Sequence, residues 1–184
     1  MALVQVLEDH PAPVVHERSQ GNFVSEIPWY NEEPDCFVIC CSDHRFEQHV
    51  RDLIRHLGFE RPHIVQVPSG VTLTLPLTSS FGFLSKAIDK VIDGVIEMKK
   101  VKTMICIGHQ DCGAYKMTGK NSLINTVVRY ATGKSGGELQ HKHLSQAAHR
   151  IRLSFHVLKV RVFFASVVGE GEKRHVEFEE ITAK

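Results

Sequence analysis

The chain has 184 residues, 42% of them hydrophobic and 23% charged, with a formal net charge of +1. That length and balance fit a single soluble globular domain with a sizeable core. No basic block invites nucleic acid or an anionic membrane surface, and no apolar run approaches the roughly 20 residues needed to cross a bilayer.

Five cysteines are an odd number, and Cys36, Cys40 and Cys41 crowd one stretch. That is a poor disulfide framework and a better set of reduced thiols and metal ligands, which points to the cytoplasm. The N-terminus, Met1–His10, lacks a basic n-region and soon turns acidic, so no secretory signal is expected. Residues 1–35 hold four of the seven prolines and sustain no hydrophobic period. They are expected to form an irregular arm, packed by Phe23, Ile27 and Trp29, ahead of one α/β domain over residues 36–184.

Cys36–Cys40 reads as a short buried strand that stops in a run of reactive side chains, Cys41 to Arg45. Phe46, Val50, Leu53, Ile54 and Leu57 then recur at helical spacing, with Gly58 as the stop. Ile64–Val67 is a second apolar strand, closed by Pro68, Ser69 and Gly70. A polar, Thr-rich crossing, Val71–Ser80, leads to the cleanest helix. Its stripe runs through Leu84, Ala87, Ile88, Val91, Ile92, Val95 and Ile96, with Ser79 or Ser80 as N-cap and Lys99 and Lys100 in the last turn. Val101–Ile107 is the third strand. Ala114–Thr132 reads as partly helical and Gly133–Gly137 as a flexible break. Leu144, Ala147, Ala148, Ile151, Phe155 and Leu158 mark another amphipathic helix, and Val160–Val168 a long buried strand. Gly169–Lys173 is a hairpin turn into Arg174–Ile181, where Val176 and Phe178 alternate with charges as on an edge strand.

Strands alternating with helices imply an α/β fold: a mostly parallel sheet flanked by helices, with an antiparallel C-terminal edge strand. In such sheets ligands sit off the carboxyl ends of strands, where the strand order reverses. If the first strand lies between the second and third, Cys41 and His109 become neighbours at that point.

Cys41, Asp43 and Arg45 alternate, so an extended backbone would point all three to one side. A thiolate, a carboxylate and a fixed cation together imply a metal or an activated nucleophile. His109 and Cys112 complete two thiolates and an imidazole, a good zinc set one short of the usual four. Asp43 could be the fourth ligand, or stand off and accept a hydrogen bond, with Arg45 gripping it in either case. Gly113 would let the backbone approach a metal, and a helix starting there would favour the Cys112 thiolate. Cys36, Cys40 and Cys106 read as small buried hydrophobes, Asp111 as a turn cap, and His44, His141, His143 and His149 as surface histidines.

Cys41, Asp43 and Arg45, followed by His109, Cys112 and Gly113, resemble the Cys-x-Asp-x-Arg and His-x-x-Cys pair of the β-class carbonic anhydrases. The order of strand, motif, helix, strand, helix, strand, motif over residues 36–113 is similar too. The resemblance implies a Zn2+ ion bound by Cys41, His109 and Cys112, and a catalytic dyad of Asp43 and Arg45. It also implies a homodimer or higher homo-oligomer. The implied reaction is that of a lyase, the reversible hydration of carbon dioxide to bicarbonate by a zinc-bound hydroxide. Where family members carry Arg-Asn-Ala-Gly after the second strand, this chain has Val67, Pro68, Ser69 and Gly70, as a divergent member would. Two alternatives share the same residues. One is the same zinc chemistry on a sulfur cumulene, carbon disulfide or carbonyl sulfide; the other is a non-catalytic zinc-binding regulatory protein whose Asp43 closes the site.

Overall fold

Every residue of Cys36–Cys40, the strand β1, is buried. The computed structural model describes residues 29, 31–75, 82–115, 136–156 and 158–181. Residues 1–31 cluster as one unit and residues 32–184 as another; the elements described here belong to the second. Beside β1 lie β2 (Pro62–Gln66) and β3 (Thr103–His109), both parallel to it. Next to β3 runs β4 (Lys159–Val168), also parallel, and β5 (His175–Glu180) closes the edge antiparallel to β4. The order is β2-β1-β3-β4-β5, so the chain reverses direction across the sheet at β1 and β3, as the sequence implied.

The period-two alternation of each strand sorts the core into two layers. On one face Phe37, Ile39, Met104, Cys106, Val162 and Phe164 meet the helices α2 (Gly82–Lys99) and α3 (Gly136–Ser154). On the other, Cys36, Val38, Cys40, Ile105, Ile107 and Phe163 meet α1 (Glu47–His56) through Val50, Leu53 and Ile54. Cys36, Cys40 and Cys106 are thus core residues, and burial pushes their thiols up to about 12, 11 and 12. Arg150 of α3 donates to Asp89 of α2 at 2.5 Å and to the carbonyl of Thr74, joining both helices to the turn after β2.

Several details differ from the sequence reading. β2 starts at Pro62, ahead of the apolar run, because Asp35 accepts hydrogen bonds from the backbone N–H groups of Glu60 and Arg61 and aligns the strand's approach. β3 extends to His109, so that ligand candidate belongs to the strand itself. The stripe of α2 is narrower than its apolar residues imply: Ile88, Ile92 and Val95 are buried, but Ala87 is exposed and Val91 is 46% exposed. Gly136 and Gly137 are helical, opening α3, rather than part of a break. Trp29 is 90% exposed in the single chain; Phe23, Ile27, the α2 cap positions Ser79 and Ser80, and residues 116–135 lie outside the described residues.

The Thr-rich crossing is the largest difference. Residues Gly70–Thr74 form a 3-10 turn in which Val71, Thr72 and Thr74 are buried. Their hydroxyls are satisfied locally: Thr72 donates to the Ser69 carbonyl and Thr74 to the Val71 carbonyl, both at 2.8 Å. The turn is wedged against the strand ends. A Cβ on Gly70 would lie 3.2 Å from the Cys40 carbonyl carbon and the Ile107 oxygen, and 3.3 Å from the Cys41 nitrogen. Gly70 also has φ +58°, and Ser69 before it φ +69°. Gly70→Ala is therefore expected to destabilise the fold by about 1–3 kcal/mol. Urea unfolding of the variant beside the wild type measures this; an unchanged midpoint contradicts the wedge.

Candidate metal centre

Cys41 follows β1 directly, His109 ends β3, and Cys112 lies one turn beyond it. The neighbouring β1 and β3 therefore deliver two donors from sequence positions far apart. One donor atom from each of Cys41, His109 and Cys112 lies within 4.8 Å of the others. The Cys41 and Cys112 sulfurs are 3.7 Å apart. Zinc–sulfur bonds of about 2.3 Å at a tetrahedral angle put two sulfurs about 3.8 Å apart, so the spacing fits one small tetrahedral cation.

Backbone bonds hold the loops that carry these groups. The Val67 N–H donates to the Cys40 carbonyl at 3.1 Å, the Ser42 N–H to the Val67 carbonyl at 3.2 Å, and the Gln110 N–H to the Ala165 carbonyl at 2.9 Å. His109 is turned by two contacts. Its Nδ1 donates to the Gln110 carbonyl at 2.7 Å, and its ring packs on Phe46 with centroids 4.4 Å apart. That tautomer leaves a lone pair on Nε2, which is buried and has no hydrogen-bond partner among the described residues. An unpartnered buried nitrogen costs free energy unless something else takes its lone pair. A metal ion held with Cys41 and Cys112 does so, and the donor set fits zinc.

The two sulfurs share one S–H···S contact, and each shifts the other. Cys112 is lowered from the ordinary thiol value, first by the Cys41 hydrogen bond, then by His109 and the Ala114 backbone N–H. Cys41 is pushed far up by the same hydrogen bond, by burial and by the charge on Cys112. The helical turn beginning at Gly113 thus supplies an N–H to the Cys112 thiolate, as the sequence implied. A Cβ on Gly113 would meet no described protein atom within 4 Å. Gly70 is the glycine wedged against the backbone at the ends of β1 and β3.

Asp43 and Arg45 meet, but not by alternation along an extended strand. The chain turns at once into a 3-10 helix, His44–Phe46, with Asp43 as its N-cap. Asp43 Oδ1 accepts the Arg45 backbone N–H at 3.1 Å, and the turn folds the guanidinium back over the carboxylate. Arg45 Nε donates at 3.0 Å to Oδ1, and Nη2 at 2.6 Å to Oδ2. This grip holds the Asp43 carboxyl down to about 2, so it is ionised throughout the neutral range. Asp43 Oδ2 is 4.0 Å from His109 Nε2, beyond hydrogen-bonding distance yet beside the donor set.

A narrow cavity of about 10 Å3 opens on the donors, space for about one water molecule. Cys41, His109 and Cys112 share its lining with Ser69, Thr72, Tyr115 and Gln140, and with the apolar Leu144 and Phe164. Gln140, only 6% exposed, has a buried Oε1 without a hydrogen-bond partner. The sequence reading missed Gln140, Thr72 and Tyr115. Gln140 had a signal: it lies four residues before Leu144 and extends the buried stripe of α3, where an amide is out of place. His44 and His149 are exposed as expected. His141 and His143 are not simply solvated: His141 packs on Phe164 with centroids 4.1 Å apart, and His143 Nδ1 is 3.1 Å from the Tyr115 hydroxyl. Asp111 sits at φ +57° in the turn after β3.

The sheet order and helix layers match solved enzymes. CafA, a β-carbonic anhydrase of the fungus Aspergillus fumigatus, superposes with a TM-score of 0.56 at 15% identity, covering 83% of this chain and 77% of its own. The fold is that of the β-carbonic anhydrases. Isoform I of the Trichomonas vaginalis β-carbonic anhydrase gives 0.50 at 14% identity, over 83% and 87% of the two chains. In sequence, the chain is similar to uncharacterized proteins of Rickettsia conorii and Rickettsia bellii. These are 25% and 26% identical over 141 residues, 77% of this chain and 72% and 82% of theirs. No family model matches. On this β-carbonic anhydrase fold the Cys41, His109 and Cys112 cluster sits at the carboxyl ends of adjacent strands, where α/β sheets bind ligands. No helix among the described residues is long and apolar enough to cross a membrane.

Cys112→Ala removes a donor and leaves His109 Nε2 with a weaker set. Purified wild type is expected to carry about one zinc per chain by elemental analysis, and the variant well under half of that. Equal zinc in both excludes Cys112 as a ligand.

Proposed function

We propose that the protein is a zinc-dependent lyase, a divergent β-class carbonic anhydrase that reversibly hydrates carbon dioxide to bicarbonate. The observation that carries this reading is the buried, unpartnered Nε2 of His109, facing two sulfurs 3.7 Å apart beside an Arg-gripped carboxylate. Cys41, His109 and Cys112 would hold the zinc. Zinc in such a site lowers the pKa of water from 15.7 to about 7, and so makes a nucleophile available at neutral pH.

The chain's own residues supply the rest. Asp43, kept ionised, is a hydrogen-bond acceptor at the edge of the donor set, and Arg45 fixes the direction in which it accepts. Gln140 Oε1 offers a second buried acceptor to any O–H group in the cavity. Leu144 and Phe164 give an apolar wall suited to an uncharged, linear substrate. Arg45 engages both Asp43 oxygens, which weighs against Asp43 as a permanent fourth ligand. The reading also carries a homodimer or higher homo-oligomer, and a cytoplasmic setting in keeping with five free thiols.

Stopped-flow hydration of carbon dioxide by the zinc-loaded protein is the direct test. Asp43→Asn is expected to keep its zinc and lose on the order of 10²–10⁴-fold in rate, as for a proton-handling group. Arg45→Ala should lower the rate in the same way, because an ungripped carboxylate loses its orientation. Full activity in both variants would refute the roles assigned to the pair. Loss of zinc from Asp43→Asn would instead support the closed-site alternative.

A further inference from the structure

A second and larger cavity, of about 360 Å3, lies on the α1 face of the sheet, past the carboxyl ends of β3 and β4. Its volume is within the range of small-molecule sites, and parallel strands leave room for ligands at that end. Phe46, Val167 and Val176 are its apolar part, the two valines standing opposite one another in the β4–β5 ladder. Arg45, His49, Arg174 and His175 line the rest of the mouth, and all four are exposed. Asp111 is the one carboxylate among the described lining residues.

Two of these basic groups are positioned by residues outside the lining. Asp43 takes Nε and Nη2 of Arg45, which leaves Nη1 for another partner. His175 has an acceptor at each ring nitrogen, the Lys173 carbonyl 3.0 Å from Nδ1 and Glu177 Oε1 3.1 Å from Nε2. Only the doubly protonated imidazolium satisfies both. The Lys173 carbonyl and then Glu177 accordingly raise His175 above the ordinary histidine value. Asp43 and Asp111 both act on Arg45 and offset its charge. Arg174 forms no ion pair among the described residues, so the uncompensated positive charge at the mouth is its own.

We propose that this cavity binds a small phosphate monoester, its phosphate held by Arg174 and Arg45 and its organic body against Phe46, Val167 and Val176. The head group follows from the donors. A carboxylate has two oxygens and is filled by one guanidinium fork, whereas a phosphate has three terminal oxygens for guanidiniums arriving from separate elements. Gln110 suits a hydroxyl-bearing body: its Nε2 donates to the Val167 carbonyl at 3.4 Å, and its Oε1 is left to accept. The site stands apart from the metal donors, and the proposal does not rest on the hydration reading.

The test is isothermal titration of the zinc-loaded full chain with glucose 6-phosphate, adenosine 5′-monophosphate and inorganic phosphate, with nitrogen-15 NMR to locate the binding. At least one ester should bind once per chain, more tightly than inorganic phosphate, and shift the backbone amides of Gln110, Val167 and Val176. Arg174→Ala should weaken that binding about 10–100-fold, as for loss of charge-assisted hydrogen bonds, while keeping its zinc. Arg174→Lys retains the charge without the fork and should fall between. Absence of binding by all three probes at about 10 mM overturns the site, whether the cavity has no affinity or a second copy covers it. Inorganic phosphate binding as tightly as both esters overturns the assignment of an organic body. Equal affinity in wild type and Arg174→Ala, or shifts confined to Cys41, His109 and Cys112, puts the anion on the zinc and also overturns it. Neither measurement reads turnover, so the hydration reading stands or falls separately.

Discussion

Four residue pairs join β1 to β3, from Phe37 opposite Met104 to Cys40 opposite Ile107. Cys41, His109 and Cys112 share one site because this parallel register holds. A slip of one residue would send alternate side chains to the opposite face, exchanging the α1 layer for the α2 and α3 layer. The two hydrophobic layers oppose that slip, because Phe37 and Ile39 fill one and Val38 and Cys40 the other. The apolar core therefore fixes the spacing of polar atoms that contribute little to it.

Much of this was legible in the sequence, for identifiable reasons. β1, β3 and β4 are continuous apolar runs, which strands buried on both faces produce. The placing of Cys41 and His109 needed only the rule that ligands collect where the strand order reverses. What sequence could not supply were contacts without a period. A three-residue 3-10 turn leaves no hydrophobic pattern, so the folding of Arg45 back onto Asp43 was read as strand alternation. Thr72 and Thr74 looked like a polar surface crossing because their composition says nothing of the carbonyls that satisfy them locally. His143 read as a helix-face histidine because its partner, Tyr115, comes from another part of the chain.

The stretch Val67, Pro68, Ser69 and Gly70 has a physical sense in the structure. Gly70 occupies a place with no room for a Cβ, between the ends of β1 and β3. Ser69, held left-handed beside it, adds a hydroxyl to the cavity wall. The backbone requirement is kept at one position while the neighbouring side chain is free to change the lining. Steric demand falls on the glycine and chemical character on the serine.

Position divides the five cysteines into two chemical populations. Cys36, Cys40 and Cys106 are locked as thiols inside the sheet, where neither electrophiles nor peroxide find an anion to react with. Cys112 and Cys41, side by side at the cavity, hold the reactive sulfur of the molecule. An oxidant that reaches the cavity meets two sulfurs already in contact, the arrangement in which a sulfenic acid is captured by its neighbour. A cation bound there ties up both sulfurs. Metal loss and oxidative damage would thus converge on the same two atoms, and the core thiols would outlast both.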